Sequence, residues 1–97
     1  MRFEWDPNKY DSNIKKHRVS FDDAILVFSD PVIHLVSADY EDRDEERWGA
    51  ISRVPGGRGR ILFVIYTDRV PDIRRIISAR NADQEEINDY YSRINML

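Results

Sequence analysis

The sequence predicts a single α+β domain spanning residues 1–97, a mostly antiparallel twisted sheet packed by helices. Three observations carry this expectation. Two helix-start signals, Asp6-Pro7 and Ser20, stand in the first twenty residues. Four runs of strand character then follow between Val32 and Ala79, joined by turns too short for the crossover that parallel neighbours need. A capped segment with apolar residues at helical spacing closes the chain. The expected order is β-α-α-β-β-β-β-α, with helices segregated against an antiparallel sheet.

Residues 2–5 form a short opening strand. Asp6 is then an N-cap and Pro7 the first helical residue, with the helix running to about His17 and Tyr10, Asn13 and Ile14 facing inward. Ser20 starts a second helix: Asp23 stands at its third position, and Val19 can staple to Ala24. Ala24, Ile25, Val27 and Phe28 give it a buried side before Asp30-Pro31 ends it. Strands are expected over Val32–Ser37, Arg47–Val54, Ile61–Thr67 and Ile73–Ala79. The Ile61–Thr67 run is apolar on both faces, as a central strand requires. PGGRG (Pro55 to Gly59) and the Arg69–Asp72 stretch are turns. Asp83 caps the last helix, with Glu86 at its third position and Ile94 near its end.

An apolar fraction of 41% supports one core. No run of about 18 apolar residues suggests a membrane span, and MRFEWDPNK lacks the layout of a signal peptide. The absence of cysteine removes disulfides and thiolate metal sites. The expectation is a cytoplasmic protein with no membrane association and no cofactor. Net charge is −3, but it is unevenly spread. Residues 47–80 carry a net +6, whereas residues 21–46 carry −8. A polyanion could use the sheet region and a basic partner its flanks, or the blocks could form a solvated mixed surface.

Candidate chemistry sits mainly on the sheet and its helix junctions. Strand alternation puts Arg75 with Ile73, Ile77 and Ala79, and Arg74 with Ile76, Ser78 and Arg80. Arg75 then either pairs with a carboxylate such as Glu86 or lines a partly buried site, because an unpaired buried charge is costly. Arg80, where the last strand meets the last helix, can hold a phosphate oxygen or form a salt bridge with Asp83. Arg47 shares a strand face with Gly49, Ile51 and Arg53. Lys16 and His17 close the first helix, where cations also serve as dipole partners, but imidazole is the usual proton-transfer group near neutral pH. Glu86 and Tyr90 lie four apart on one helix face. Tyr90 serves either as a reactive phenol or in packing; His34 and Tyr66 read as structural. The run Asp42, Asp44, Glu45 and Glu46 lacks metal-ligand spacing and reads as a solvated or partner-binding loop. GGRG lacks the following helix and Lys-Ser/Thr of a P-loop, and the signatures of common RNA-binding modules are missing.

Taken in order, FEWDPNK (Phe3 to Lys9), KHRVSFDDAILVFSDP (Lys16 to Pro31), the DEER run (Asp44 to Arg47) and RIISAR (Arg75 to Arg80) with Glu86 and Tyr90 resemble the BrnT family of bacterial toxins. The resemblance covers nearly the whole chain. It implies a RelE-like fold and a metal-independent ribonuclease that arrests growth. It also implies a BrnA-type antitoxin with a ribbon-helix-helix domain, through which alone the complex meets operator DNA. Carried over by motif, the catalytic set is His17, Arg47, Arg80 and Tyr90. Lys16, Arg74, Arg75 and Glu86 are expected to bind the RNA substrate. Family members usually have Gly after the Lys-His pair, where this chain has Arg18. Their last helix is commonly basic, whereas here Glu85, Glu86 and Asp89 face only Arg93. The alternative is a BrnT-like binding module of weak or no activity that partners the antitoxin as corepressor.

Overall fold

The structure is a computed structural model and describes residues 1–38 and 46–96. Most of the acidic run, including Asp39 to Glu45 and the antitoxin-binding role expected of it, lies outside the described residues. Five strands form one sheet: β1 (Arg2–Trp5), β2 (His34–Ser37), β3 (Trp48–Arg53), β4 (Ile61–Arg69) and β5 (Ile73–Asn81). Their spatial order is β1-β5-β4-β3-β2, with β1 parallel to β5 and the other neighbours antiparallel. Three helices accompany it: α1 (Pro7–His17), α2 (Phe21–Leu26) and α3 (Gln84–Asn95). None is long and apolar enough to cross a membrane.

The caps form as their residues dictate. Asp6 accepts the Asn8 N–H at 2.8 Å, and Ser20 accepts the Asp23 N–H at 3.1 Å. Asp83 and Glu86 exchange both bonds of a capping box, each at 2.9 Å. Several boundaries differ from expectation. The second helix loosens into a 3-10 turn over Val27–Ser29. Beyond it Asp30 turns the chain, its carbonyl accepting the Ile33 N–H and its carboxylate the Val32 N–H. Val32 and Ile33 are thereby held off the ladder, and β2 begins only at His34. The last hairpin, with a cis Val70-Pro71 bond, is longer than expected because Asp68 and Arg69 pair with Arg74 and Ile73.

Each face of the sheet has its own apolar cluster. On one face, Val19, Phe21, Ala24 and Val27 pack on Ala50, Leu62, Val64, Tyr66, Ile76 and Ala79. On the other, Tyr90, Ile87 and Ile94 of α3 pack on Ile51, Ile61 and Phe63. A fully buried side chain such as Phe21 contributes about 1.5–3 kcal/mol. The α3 cluster occupies the Ile51–Phe63 end of its face.

Asn13 ties α1 to the sheet. Where β1 ends, the edge of β5 would be bare; instead the Asn13 amide donates to the Ala79 carbonyl at 2.7 Å and accepts the Ala79 N–H at 3.1 Å. It stands in for a strand residue. Its NH2 group also donates to the Val19 carbonyl at 2.9 Å, fixing the turn into α2.

Candidate active site

A β-bulge decides which arginines share a face. Ile65 pairs with Ser78 but the next residue, Tyr66, pairs with Ile76, leaving Ile77 as an extra residue in β5. Alternation therefore flips at Ile77. Arg74 and Ile76 stay with Ala79 on the α1–α2 face, where the Arg74 guanidinium lies 4.3 Å from the Tyr66 ring centre and 4.7 Å from that of Phe28. Arg75, Ser78 and Arg80 occupy the α3 face. This corrects the expected grouping of Arg75 with Ala79 and of Arg74 with Arg80. A bulge is a backbone event that strict alternation cannot register.

The register lays out rows across β3, β4 and β5 on that face. Ile51, Phe63 and Arg80 form one row, and Gly49, Ile65 and Ser78 the next. Thr67 pairs with Arg75 in the row beyond. Arg47, expected to open the strand, stands just before β3 in line with the alternation of Gly49 and Ile51, and the preceding Glu46 carbonyl accepts the Thr67 hydroxyl at 2.7 Å. The side chain of Arg47 is buried. Arg47, Arg75 and Arg80 thus share a face that Arg74 does not.

Arg80 is firmly placed. It donates to both oxygens of Glu86, at 2.8 and 2.9 Å, and to the Asn81 carbonyl at 3.2 Å. Its guanidinium lies 4.6 Å from the Phe63 ring centre. Gly49 leaves room for that ring, since a Cβ there would stand 2.7 Å from Phe63 Cζ. Arg80 therefore bonds Glu86 and not Asp83, whose carboxylate is spent on the helix cap. Arg75, for which a carboxylate such as Glu86 was one of two expected settings, pairs with Glu4 of β1 at 3.3 Å. Arg69 meets the same carboxylate at 3.5 Å. Arg74 is tied to Asp68 by two bonds, of 2.7 and 3.0 Å.

Lys16, His17 and Arg47 come together. They line an open trough of about 270 Å³ with Lys9, Ser12, Asn13, Ile77 and Ser78. Among the described residues, none that lines it is acidic. Arg80 projects from the same sheet face two residues beyond Ser78. The end of α1 that presents Lys16 and His17 is closed by Arg18 in the left-handed conformation, φ 60° and ψ 29°, with its N–H on the Ile14 carbonyl at 2.9 Å.

Tyr90 is not in this trough. It is wholly buried beneath α3, and its hydroxyl donates to the Asp30 carboxylate. Burial and the bond to Asp30 push the phenol up to about 12. The same carboxylate accepts the Ser52 hydroxyl at 2.8 Å and the Arg53 N–H at 3.3 Å. Burial pushes Asp30 up, but the bonds from Tyr90, Val32, Ser52 and Arg53 outweigh it and hold the carboxyl below its ordinary range. His34 lies on β2, with Nδ1 buried and without a hydrogen-bond partner among the described residues. Desolvation, then the nearby Arg93 charge, lowers its pKa.

Sequence reasoning missed Lys9, Ser12, Ser78, Phe63 and Glu4. The spacing of Lys9, Ser12, Asn13 and Lys16 on α1 is one helical face and was available as a signal. The roles of Phe63 and Glu4 needed the strand register.

These features have relatives. The chain belongs to the BrnT family: the family described as "Ribonuclease toxin, BrnT, of type II toxin-antitoxin system" matches residues 5–86. Among solved structures it is similar to the 1.1 Å crystal structure of the Brucella abortus ribonuclease toxin BrnT, with 27% identity and a TM-score of 0.61. That match covers 87% of this chain and 99% of the Brucella protein. No curated protein matches the sequence.

Proposed function

We propose that this chain is the toxin of a type II toxin–antitoxin pair and cleaves RNA without a metal ion, on a RelE-like frame. The observation that carries the reading is the trough where Lys16, His17 and Arg47 meet, on the sheet face that also bears Arg75 and Arg80. In the proposed reaction His17 takes the proton of an RNA 2′-hydroxyl. The freed oxygen attacks the adjacent phosphorus in line, and the bond from phosphorus to the 5′ oxygen breaks. The 5′ oxygen takes a proton from water and leaves as a hydroxyl, and His17 later gives its proton back to solvent. The products are a 2′,3′-cyclic phosphate and a free 5′-hydroxyl. Arg47 and Arg80 stabilise the charge that grows on the phosphoryl oxygens, and Lys16 and Arg75 hold the strand. Cationic side chains here supply the charge neutralisation that a metal supplies elsewhere. Tyr90, engaged by Asp30, acts in this account by packing α3; Glu86 acts by holding Arg80, and Arg74 through Asp68. Loss of Arg80 should cost on the order of a hundredfold in rate, as removal of an oxyanion donor does.

The partner in this reading is a BrnA-type antitoxin with a ribbon-helix-helix domain, made with the toxin in the cytoplasm and carrying the complex to operator DNA. A second reading is a weakly active module serving as corepressor. It is favoured by one observation: Arg75 and Arg80 are both already engaged by carboxylates, Glu4 and Glu86. Expression in a bacterial host without the antitoxin separates the two. Growth arrest that Arg80→Ala relieves supports the nuclease. Normal growth with soluble, folded protein supports the corepressor.

A further inference from the structure

The cations around the trough differ in one respect. Arg75 and Arg80, on the same sheet face, each hold a carboxylate, at 3.3 and 2.8 Å. Lys9 and Lys16 have no ion pair among the described residues. Both are exposed, both line the trough, and among the described residues no acidic one lines it with them. In a chain of net charge −3, two lysines without an ion pair among the described residues make a local excess of positive charge. Such an excess repels itself until an anion enters.

The placement of that charge is fixed by α1. Lys9, Ser12, Asn13 and Lys16 stand at i, i+3, i+4 and i+7, a single face of the helix. The Asn13 bonds to Ala79 lock this face against the edge of β5, so Lys9 and Ser12 keep their station relative to Ser78. Lys9 and Lys16 are two helical turns apart, about 10 Å along the axis. At that separation each can meet a different phosphate of one strand.

We propose that Lys9 and Ser12 form a second phosphate subsite, which binds the RNA backbone next to the phosphodiester held by Lys16 and Arg47. This inference rests on the ribonuclease reading and names residues beyond its catalytic set. Lysine suits the task as a mobile point charge that follows a flexible backbone. The Ser12 hydroxyl can donate to the same phosphate. The subsite makes the enzyme prefer a strand with several phosphates over a dinucleotide with one.

Two measurements test it on the purified chain. The first is binding of a 2′-O-methyl RNA octamer, which lacks the attacking hydroxyl, across a range of salt. Lys9→Gln is expected to weaken binding about fivefold and to reduce the magnitude of the log K versus log salt slope by about 0.7, the value for one phosphate contact on a single strand. Lys9→Arg should restore both. The second is single-turnover cleavage of an unmodified dinucleotide and octamer. Lys9→Gln should raise KM for the octamer by a larger factor than it slows the dinucleotide. An unchanged salt slope, or equal losses on dinucleotide and octamer, overturns the subsite. If the parent cleaves neither substrate, the nuclease reading falls, while the salt slope still decides whether Lys9 meets a phosphate.

Discussion

Glu86 grips Arg80 with both carboxylate oxygens while its own capping-box bond reaches the Asp83 N–H. One side chain thus starts α3 and sets the angle at which Arg80 leaves β5, over the Phe63 ring. Glu86→Gln keeps an acceptor for the capping box but removes the charge that faces Arg80. The expected result is a change in folding stability of about 1 kcal/mol or less, with a loss of RNA cleavage of about tenfold or more, because small misplacements of a reacting group are costly. Denaturant unfolding and single-turnover rates read the two effects separately.

Tyr90→Phe removes the hydroxyl that reaches Asp30. A bond to a charged acceptor is worth about 1.5–3 kcal/mol, and that deficit is expected around neutral pH. The pH dependence has two ends. The phenol is raised in the folded protein, so its contribution is fully present below the ordinary phenol value of about 10. It fades as pH climbs toward about 12. The Asp30 carboxyl is lowered, so its contribution is present above about pH 4 and lost as pH falls below that. Urea midpoints of the parent should therefore exceed those of Tyr90→Phe between about pH 5 and 9 and converge with them at alkaline pH. RNA cleavage per folded molecule should be unchanged.

Arg18 occupies a left-handed position, at φ 60°. An L-residue with a Cβ is disfavoured there by about 1–2 kcal/mol. Arg18→Gly relieves this and gives the unfolded chain more freedom, which offsets part of the gain. A net stabilisation of about 0.5–1 kcal/mol is expected, or a rise in thermal midpoint of a few degrees. Calorimetry checks it directly.

Asn13→Ala takes the partner from both backbone groups of Ala79 and from the Val19 carbonyl. Leaving such groups buried and unsatisfied costs about 1–3 kcal/mol each, less what water recovers. The expected loss is about 3 kcal/mol or more, with hydrogen exchange rising first at Ala79 and along α1. A variant as stable as the parent would contradict the role given to Asn13.

The elements were legible because their signals are local. Asp6-Pro7, Ser20, Asp83 with Glu86, and the PGGRG turn each act within a few residues, and each appears where the chemistry puts it. The meander followed from turn length. The site was only half legible. Lys16 and His17 sit together by sequence, but their meeting with Arg47 depends on the path of α1 across the edge of β5. The grouping expected of Arg75 with Ala79 and of Arg74 with Arg80 was wrong for one physical reason. A single extra residue, Ile77, turns the rest of the strand over, and no composition or periodicity announces it. Tyr90 shows a different limit: its spacing from Glu86 is helical, yet spacing cannot say that the phenol points to a buried carboxylate on another element.

The central claim is that the trough of Lys16, His17 and Arg47, with Arg80 beside it, cleaves RNA through the 2′-hydroxyl. The most direct measurement incubates the purified chain in EDTA with a labelled oligoribonucleotide and with the same oligomer carrying a 2′-deoxy sugar at the cleaved position, alongside His17→Ala and Arg80→Ala. The account predicts cleavage of the ribose substrate to a 2′,3′-cyclic phosphate and a 5′-hydroxyl, none at the deoxy position, and losses of about a hundredfold or more in both variants. Intact RNA from a folded parent, or cleavage that survives the deoxy substitution, would contradict it.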